Sequence, residues 1–169
     1  MSITNQPAKK GRAVSALRGF YEHRAVWLYL LCDEARRQGM DPAQFAPAAI
    51  RRCGLFHGRR ALDSEQADSA GTSLKRLRKK LFKRQGQMVF EMDFKKCTDD
   101  CFEVEFHYCP LVAAWKKQGC GDGEIETLCD WAMEGDRGIA EAFGCELSLP
   151  KTIAKGDDIC QIRIERKVR

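Results

Sequence analysis

The sequence has no long apolar run. Its most hydrophobic stretch, Ala25 to Cys32, is far shorter than the roughly 20 residues that a membrane-spanning helix needs, so no membrane partner is expected. The first twelve residues are polar and basic, without the apolar core of a secretory leader, and a cytoplasmic location is therefore expected. No two cysteines stand in the CxxC spacing of a zinc knuckle. The nearest approach, Cys97 and Cys101 in CTDDC, reads as a turn flanked by thiols and not as a metal clip. The basic helical stretch lacks interleaved aromatic residues for stacking bases, which weighs against nucleic acid as a partner.

What is present in excess is cysteine. Nine cysteines, an odd number, in a chain with no export signal are expected to be reduced and to divide among packing, catalytic and ligand roles. The 169 residues suit one domain, with 1–12 a disordered basic tail and 13–169 a single folded unit. Charge is split along it. Residues 1–86 carry 18 Lys and Arg against 7 Asp and Glu, whereas residues 87–169 carry 11 against 17. The two halves can face each other, or the first can face an acidic partner.

From Ala13 to Gly39 the residues Val14, Leu17, Phe20, Tyr21, Trp27, Leu28 and Leu31 recur at helical spacing, and Tyr21, His23 and Trp27 can line a pocket or simply pack. Asp41-Pro42 predicts a second helix start. That helix puts Cys53 and His57 on one face, with Gly54 and Gly58 marking its fraying end. A third, strongly basic helix is predicted over Arg59 to Arg84. Met88, Phe90, Met92 and Phe94 then alternate as a first strand, and Phe102, Val104 and Phe106 as a second, joined as a hairpin. Two helices follow, from Pro110 and from about Ile125. The tail after Cys145 reads as two strands around a Gly-Asp-Asp turn, with Cys160 pointing into the core. The fold class is α+β: N-terminal helices, then an antiparallel sheet of about four strands with two inserted helices.

Reactive groups collect where the second strand hands over to a helix. Cys109 precedes Pro110 and so is predicted to be the N-cap, where the helix dipole and unpaired N–H groups favour a thiolate. His107 stands two residues earlier. Asp136 follows Cys129 by seven residues and falls on the same apolar helix face, an unusual place for a carboxylate unless it has a partner or a function. Asp130 flanks that stripe.

Four stretches in order, AAIRRCGLFHG, FHYCPLVAAW, LCDWAMEGDRGIAEAFG and LPKTIAKGDDICQIRI, resemble the L-2-amino-thiazoline-4-carboxylic acid hydrolase family from about Arg24 to Arg166. That family is similar in turn to 4-vinyl reductase-like and Golgi-transport-related ligand-binding domains. The resemblance implies a bacterial hydrolase that opens a cyclic amidine-thioether ring to a carbamoyl-cysteine, on a route to L-cysteine. Such chemistry asks for attack on the ring carbon and protonation of the leaving atom. Cys109 is then a candidate nucleophile, Asp136 or Asp130 the base, His57 or His107 the acid, Cys129 and Cys53 substrate contacts, and a first-half arginine the holder of the substrate carboxylate. No cofactor is expected; zinc, if held, would take Cys109, Cys129, His107 and His57. The partner is a small-molecule substrate, and homo-oligomer formation is left open. A non-catalytic ligand-binding or sensor domain is the alternative, with nucleic-acid binding through the basic helix behind it.

Overall fold

The computed structural model describes residues 2–63 and 74–167. Helix α1 spans Arg12–Arg37. Asp41 then caps a 3₁₀ turn at Pro42–Gln44, its Oδ1 accepting the Ala43 N–H at 3.0 Å, before α2 at Ala46–Asp63. Two short helices, α3 (Leu74–Leu81) and α4 (Arg84–Val89), lead to strands β1 (Met92–Cys97) and β2 (Cys101–Phe106). Helices α5 (Pro110–Lys117) and α6 (Asp122–Ala142) come next, followed by β3 (Cys145–Lys151), a 3₁₀ turn at Ile153–Lys155 and β4 (Cys160–Arg166). This is the α+β order read from the sequence.

The strands form one antiparallel sheet in the order β1-β2-β4-β3, so the two hairpins join through β2 and β4. Alternation decides its faces. Phe102, Val104 and Phe106 pair across with Ile164, Ile162 and Cys160, and all six are buried. The neighbours between them, Glu103 and Glu105, stay partly exposed, with Glu103 accepting from Gln161 Nε2 at 2.7 Å. The core then continues into α5 and α6 through Trp115, Ile125 and Leu128, each fully buried. Trp115 donates its Nε1–H to the Ala25 carbonyl at 2.9 Å, fixing α5 against α1 without leaving a buried donor unpaired.

Gly54 and Gly58 do not end the second helix, which runs on to Asp63. They let α2 and α6 approach closely. A methyl at Gly58 would sit 2.6 Å from Ala142 Cβ, one at Gly138 would sit 2.5 Å from the Arg51 carbonyl oxygen, and one at Gly54 would overlap the Gly135 carbonyl. Arg51 then bridges the pair, reaching Glu134 at 2.7 Å and Glu141 at 2.5 Å.

Three further expectations change. Arg59 and Arg60 belong to α2, not to a third helix from Arg59 to Arg84, and residues 64–73 of that stretch lie outside the described residues. Leu74 and Leu77 of α3 are buried, as a helix spacing of three predicts. The first strand starts at Met92 instead of Met88, because Arg84–Val89 wind into the short helix α4, which buries Val89. Glu91 makes the corner with φ 53. Finally, the segment before α1, read as a disordered tail, lies against the fold. Ile3 is 3% exposed in the core, and Asn5 hydrogen-bonds the backbone of Cys109, so a mostly polar segment is held by one apolar anchor and by specific polar pairs. Among the described residues, no helix is long and apolar enough to cross a membrane.

Candidate functional site

The helices and the sheet line a cavity of about 520 Å³ that opens to solvent, with Arg24, Cys53 and His57 exposed. α1 supplies Tyr21, Arg24 and Leu28; α2 supplies Ile50, Cys53 and His57; α6 supplies Cys129, Met133 and Asp136. Cys109 enters from the N-cap of α5, and Cys160 from the first position of β4. The remaining wall is largely apolar, with Phe82, Phe90, Phe106, Trp115 and Ile162. Such a space, apolar with a few converging polar groups, is the usual form of a small-molecule site.

Helix periodicity explains how α6 does this. Cys129 and Asp136 are seven residues apart, two turns of helix, and both turn toward the cavity together with Ala132 and Met133. Asp136 has protein packed round it yet is exposed by surface area, and it lines the cavity. Burial raises its carboxyl above the ordinary value of 3.8; the charges of Arg24 and Arg137 pull the other way without prevailing. No ion pair to Asp136 forms among the described residues. Arg137 is committed elsewhere, to Asp130 at 2.7 Å and Glu134 at 2.7 Å. Arg24 forms no ion pair among the described residues; it lies 5.7 Å from the Tyr21 ring, and its charge is open to a ligand.

Cys109 takes the predicted N-cap position, with φ −125 and ψ 111 and Pro110 following. Its thiol makes no cap hydrogen bond. Burial pushes the thiol up, and the amides of Val112 and Leu111 and the charge of Arg24, which favour a thiolate, are outweighed. The sequence expectation of a ready thiolate is thus reversed: a helix N-terminus lowers a thiol pKa only while solvent or a close cation shares the charge. Cys129 and Cys160 behave alike. Burial raises Cys129, and the neighbouring Cys109 and Cys160 add to it; Cys160 is pushed up to about 12 by burial and then by Cys109. Cys160 Sγ also accepts the Ile153 N–H at 3.3 Å. Three thiols from three elements therefore rest protonated around one space.

Of the sequence candidates, Cys109, Asp136, His57, Cys129 and Cys53 are brought together at the cavity. Asp130 and His107 are not. Asp130 is exposed and holds Arg137. His107 lies on the outer side of the sheet, where it meets Asp93 and Glu105 in a group whose ligand atoms all fall within 4.8 Å of one another. Lys95 is already inside that group, bonded to Asp93 and, at 3.1 Å, to Glu105. The set Cys109, Cys129, His107 and His57 consequently does not converge. Tyr21 lines the cavity, while His23 and Trp27, read beside it, point to solvent. Arg24 and Cys160 were not named as site residues from the sequence. Strand alternation had turned Cys160 inward, and inward here means a cavity wall as well as a core.

The fold has solved counterparts. It is similar to a trafficking protein particle complex subunit 3 from Naegleria fowleri, covalently bound to palmitic acid, at 17% identity and a TM-score of 0.53, over 87% of this chain and 95% of that one. At that identity the likeness speaks for the fold alone. No curated protein matches the chain. The sequence model of L-2-amino-thiazoline-4-carboxylic acid hydrolase matches residues 19–164, which span every element that lines the cavity, and the chain accordingly belongs to that family.

Proposed function

We propose that the cavity is the active site of a hydrolase that opens a small cyclic amidine, with 2-amino-thiazoline-4-carboxylate as the substrate its family name points to. The observation that carries this reading is Asp136: a carboxyl inside a largely apolar space, reachable by water, raised by burial and without an ion pair among the described residues. A base with its pKa moved toward neutrality is what proton abstraction from water needs. In this scheme Arg24 binds the substrate carboxylate and Asp136 takes a proton from a water molecule. The oxygen attacks the ring carbon that carries sulfur and nitrogen. One ring bond to that carbon breaks, and the leaving atom receives a proton from Asp136 or from His57 at the same cavity. Water, not the Cys109 thiol, serves as the nucleophile in this scheme: burial favours the protonated thiol, and no side-chain base hydrogen-bonds it among the described residues. The three thiols then shape and dry the pocket.

The test is ring opening followed by mass spectrometry with the purified protein, beside Asp136→Asn and Cys109→Ser. Turnover abolished by the first change and largely kept by the second supports the scheme. Loss with Cys109→Ser and not with Asp136→Asn would move the chemistry to the thiol.

A second reading has an observation of its own. The cavity is large and apolar for so small and polar a ring acid. The trafficking subunit of similar fold carries palmitic acid covalently, and a buried thiol in an apolar space supports an acyl-chain ligand here. Intact-mass measurement and organic extraction of the purified protein would reveal it, and absence of turnover together with a bound chain would decide for this reading.

A further inference from the structure

Cys109 is fixed from behind by a segment that does not touch the cavity. Its backbone N–H belongs to the residue between a strand end and a helix start, so neither ladder satisfies it. Asn5 does. Asn5 Oδ1 accepts the Cys109 N–H at 2.9 Å, and Asn5 Nδ2 donates to the Cys109 carbonyl at 2.8 Å, closing a two-bond clasp on one residue across 104 positions of sequence. Asn5 itself is not among the cavity-lining residues.

The segment that carries Asn5 is anchored at both ends. Toward its start, Ile3 is buried and its carbonyl accepts Lys116 Nζ of α5 at 2.7 Å. Toward its end, Glu91 accepts the backbone N–H groups of Lys9 at 2.7 Å and Ala8 at 3.2 Å, while Arg18 donates to Glu91 at 2.8 Å and to the Lys9 carbonyl at 2.8 Å. Both members of that ion pair are nearly buried, with side chains 7% and 6% exposed. Glu91 reaches this point from a left-handed backbone, φ 53, which costs a non-glycine residue conformational energy and persists only where surrounding contacts hold it. A clasp between two anchors fixes a direction as well as a position.

We infer that Asn5 is a positioning residue for Cys109, and that residues 2–11 form a strap whose role is to hold the thiol-bearing N-cap against the cavity. The inference rests on the cavity being the functional site, but its test makes no use of turnover, so failure of the hydrolase reading would leave a separate trace. Alkylation of a buried thiol in the native protein follows local opening. Site-resolved mass spectrometry of iodoacetamide labelling reads Cys109, Cys129 and Cys160 side by side, the last two serving as internal references in the same cavity. With Asn5→Ala, labelling of Cys109 should rise about tenfold, the factor that matches the loss of a pair of ordinary hydrogen bonds, while Cys129 and Cys160 stay as in the wild type. Asn5→Asp, which keeps the acceptor and loses the donor, should fall between, and it also serves if the alanine variant does not fold. An equal rise at all three thiols would mean general loosening and would overturn the assignment, as would no change at Cys109.

Discussion

Two aspartates on opposite sides of one sheet show what separates a site from a surface. Asp93, on the outer side, is exposed and sits beside Lys95, whose ammonium holds its carboxyl below the usual carboxylate range. Asp136, in the cavity, is in no ion pair among the described residues; burial raises it, and the charges of Arg24 and Arg137 only partly offset that. The same chemical group is stabilised as an anion in one place and strained as an anion in the other. The thiols repeat the contrast: those at the cavity are held protonated by the same removal from water. What matters in both is whether a counter-charge has been placed nearby. On the outer face Lys95 compensates both Asp93 and Glu105; in the cavity Arg24 and Arg137 act on Asp136 without an ion pair to it among the described residues.

The most severe way to break this contrast is to neutralise the cavity carboxylate. Asp136→Asn should lower turnover of the cyclic amidine by about 10²–10⁴-fold, the range for removal of a general base, with the fold intact by circular dichroism. The next effect acts on the walls and not on the charge. Gly54→Ala forces a methyl onto the Gly135 carbonyl and should cost about 1–3 kcal/mol in denaturant unfolding, the usual cost of overpacking. Turnover in the surviving folded fraction should fall too, because α2 and α6 both line the cavity.

A subtler prediction concerns pH. Because the native Asp136 carboxyl has its pKa raised above the ordinary 3.8, the native state binds its proton more tightly than the unfolded chain does. Stability from this group is greatest below that value and declines as pH climbs to the native pKa, beyond which the loss is constant. Asp136→Asn removes the decline. Its melting temperature relative to wild type should therefore improve as pH rises above the ordinary 3.8, and a difference that stays flat would mean that the carboxyl is compensated after all. The smallest effect belongs outside. Glu105→Gln should leave turnover and melting temperature unchanged, because Lys95 keeps Asp93 and exposed pairs add little.

Much of this was legible in the sequence wherever a period governed it. The strand alternation at Phe102, Val104 and Phe106, the Cys-Pro junction and the seven-residue step from Cys129 to Asp136 each placed residues correctly, since local geometry sets those directions. The step placed Asp136 but not Asp130 in the cavity. What escaped was non-local. Gly54 and Gly58 look like a helix end until the facing glycines of α6 are known. His107 is the exception, since the alternation that turns Phe106 inward already turns its neighbour outward. Asn5 gave no signal, because a polar residue in a polar segment shows nothing of a clasp 104 residues away. The thiol pKa failed for the same reason. A helix N-terminus can be read locally, but the burial that overrides it cannot.

The most direct measurement is a site-resolved NMR titration of the Asp93 and Asp136 side-chain carboxyls in one sample. The account predicts two well-separated midpoints, Asp93 below the ordinary carboxylate value and Asp136 above it. Matching midpoints, or Asp136 titrating below Asp93, would show that the cavity carboxylate is already compensated and would remove the basis for placing the chemistry there.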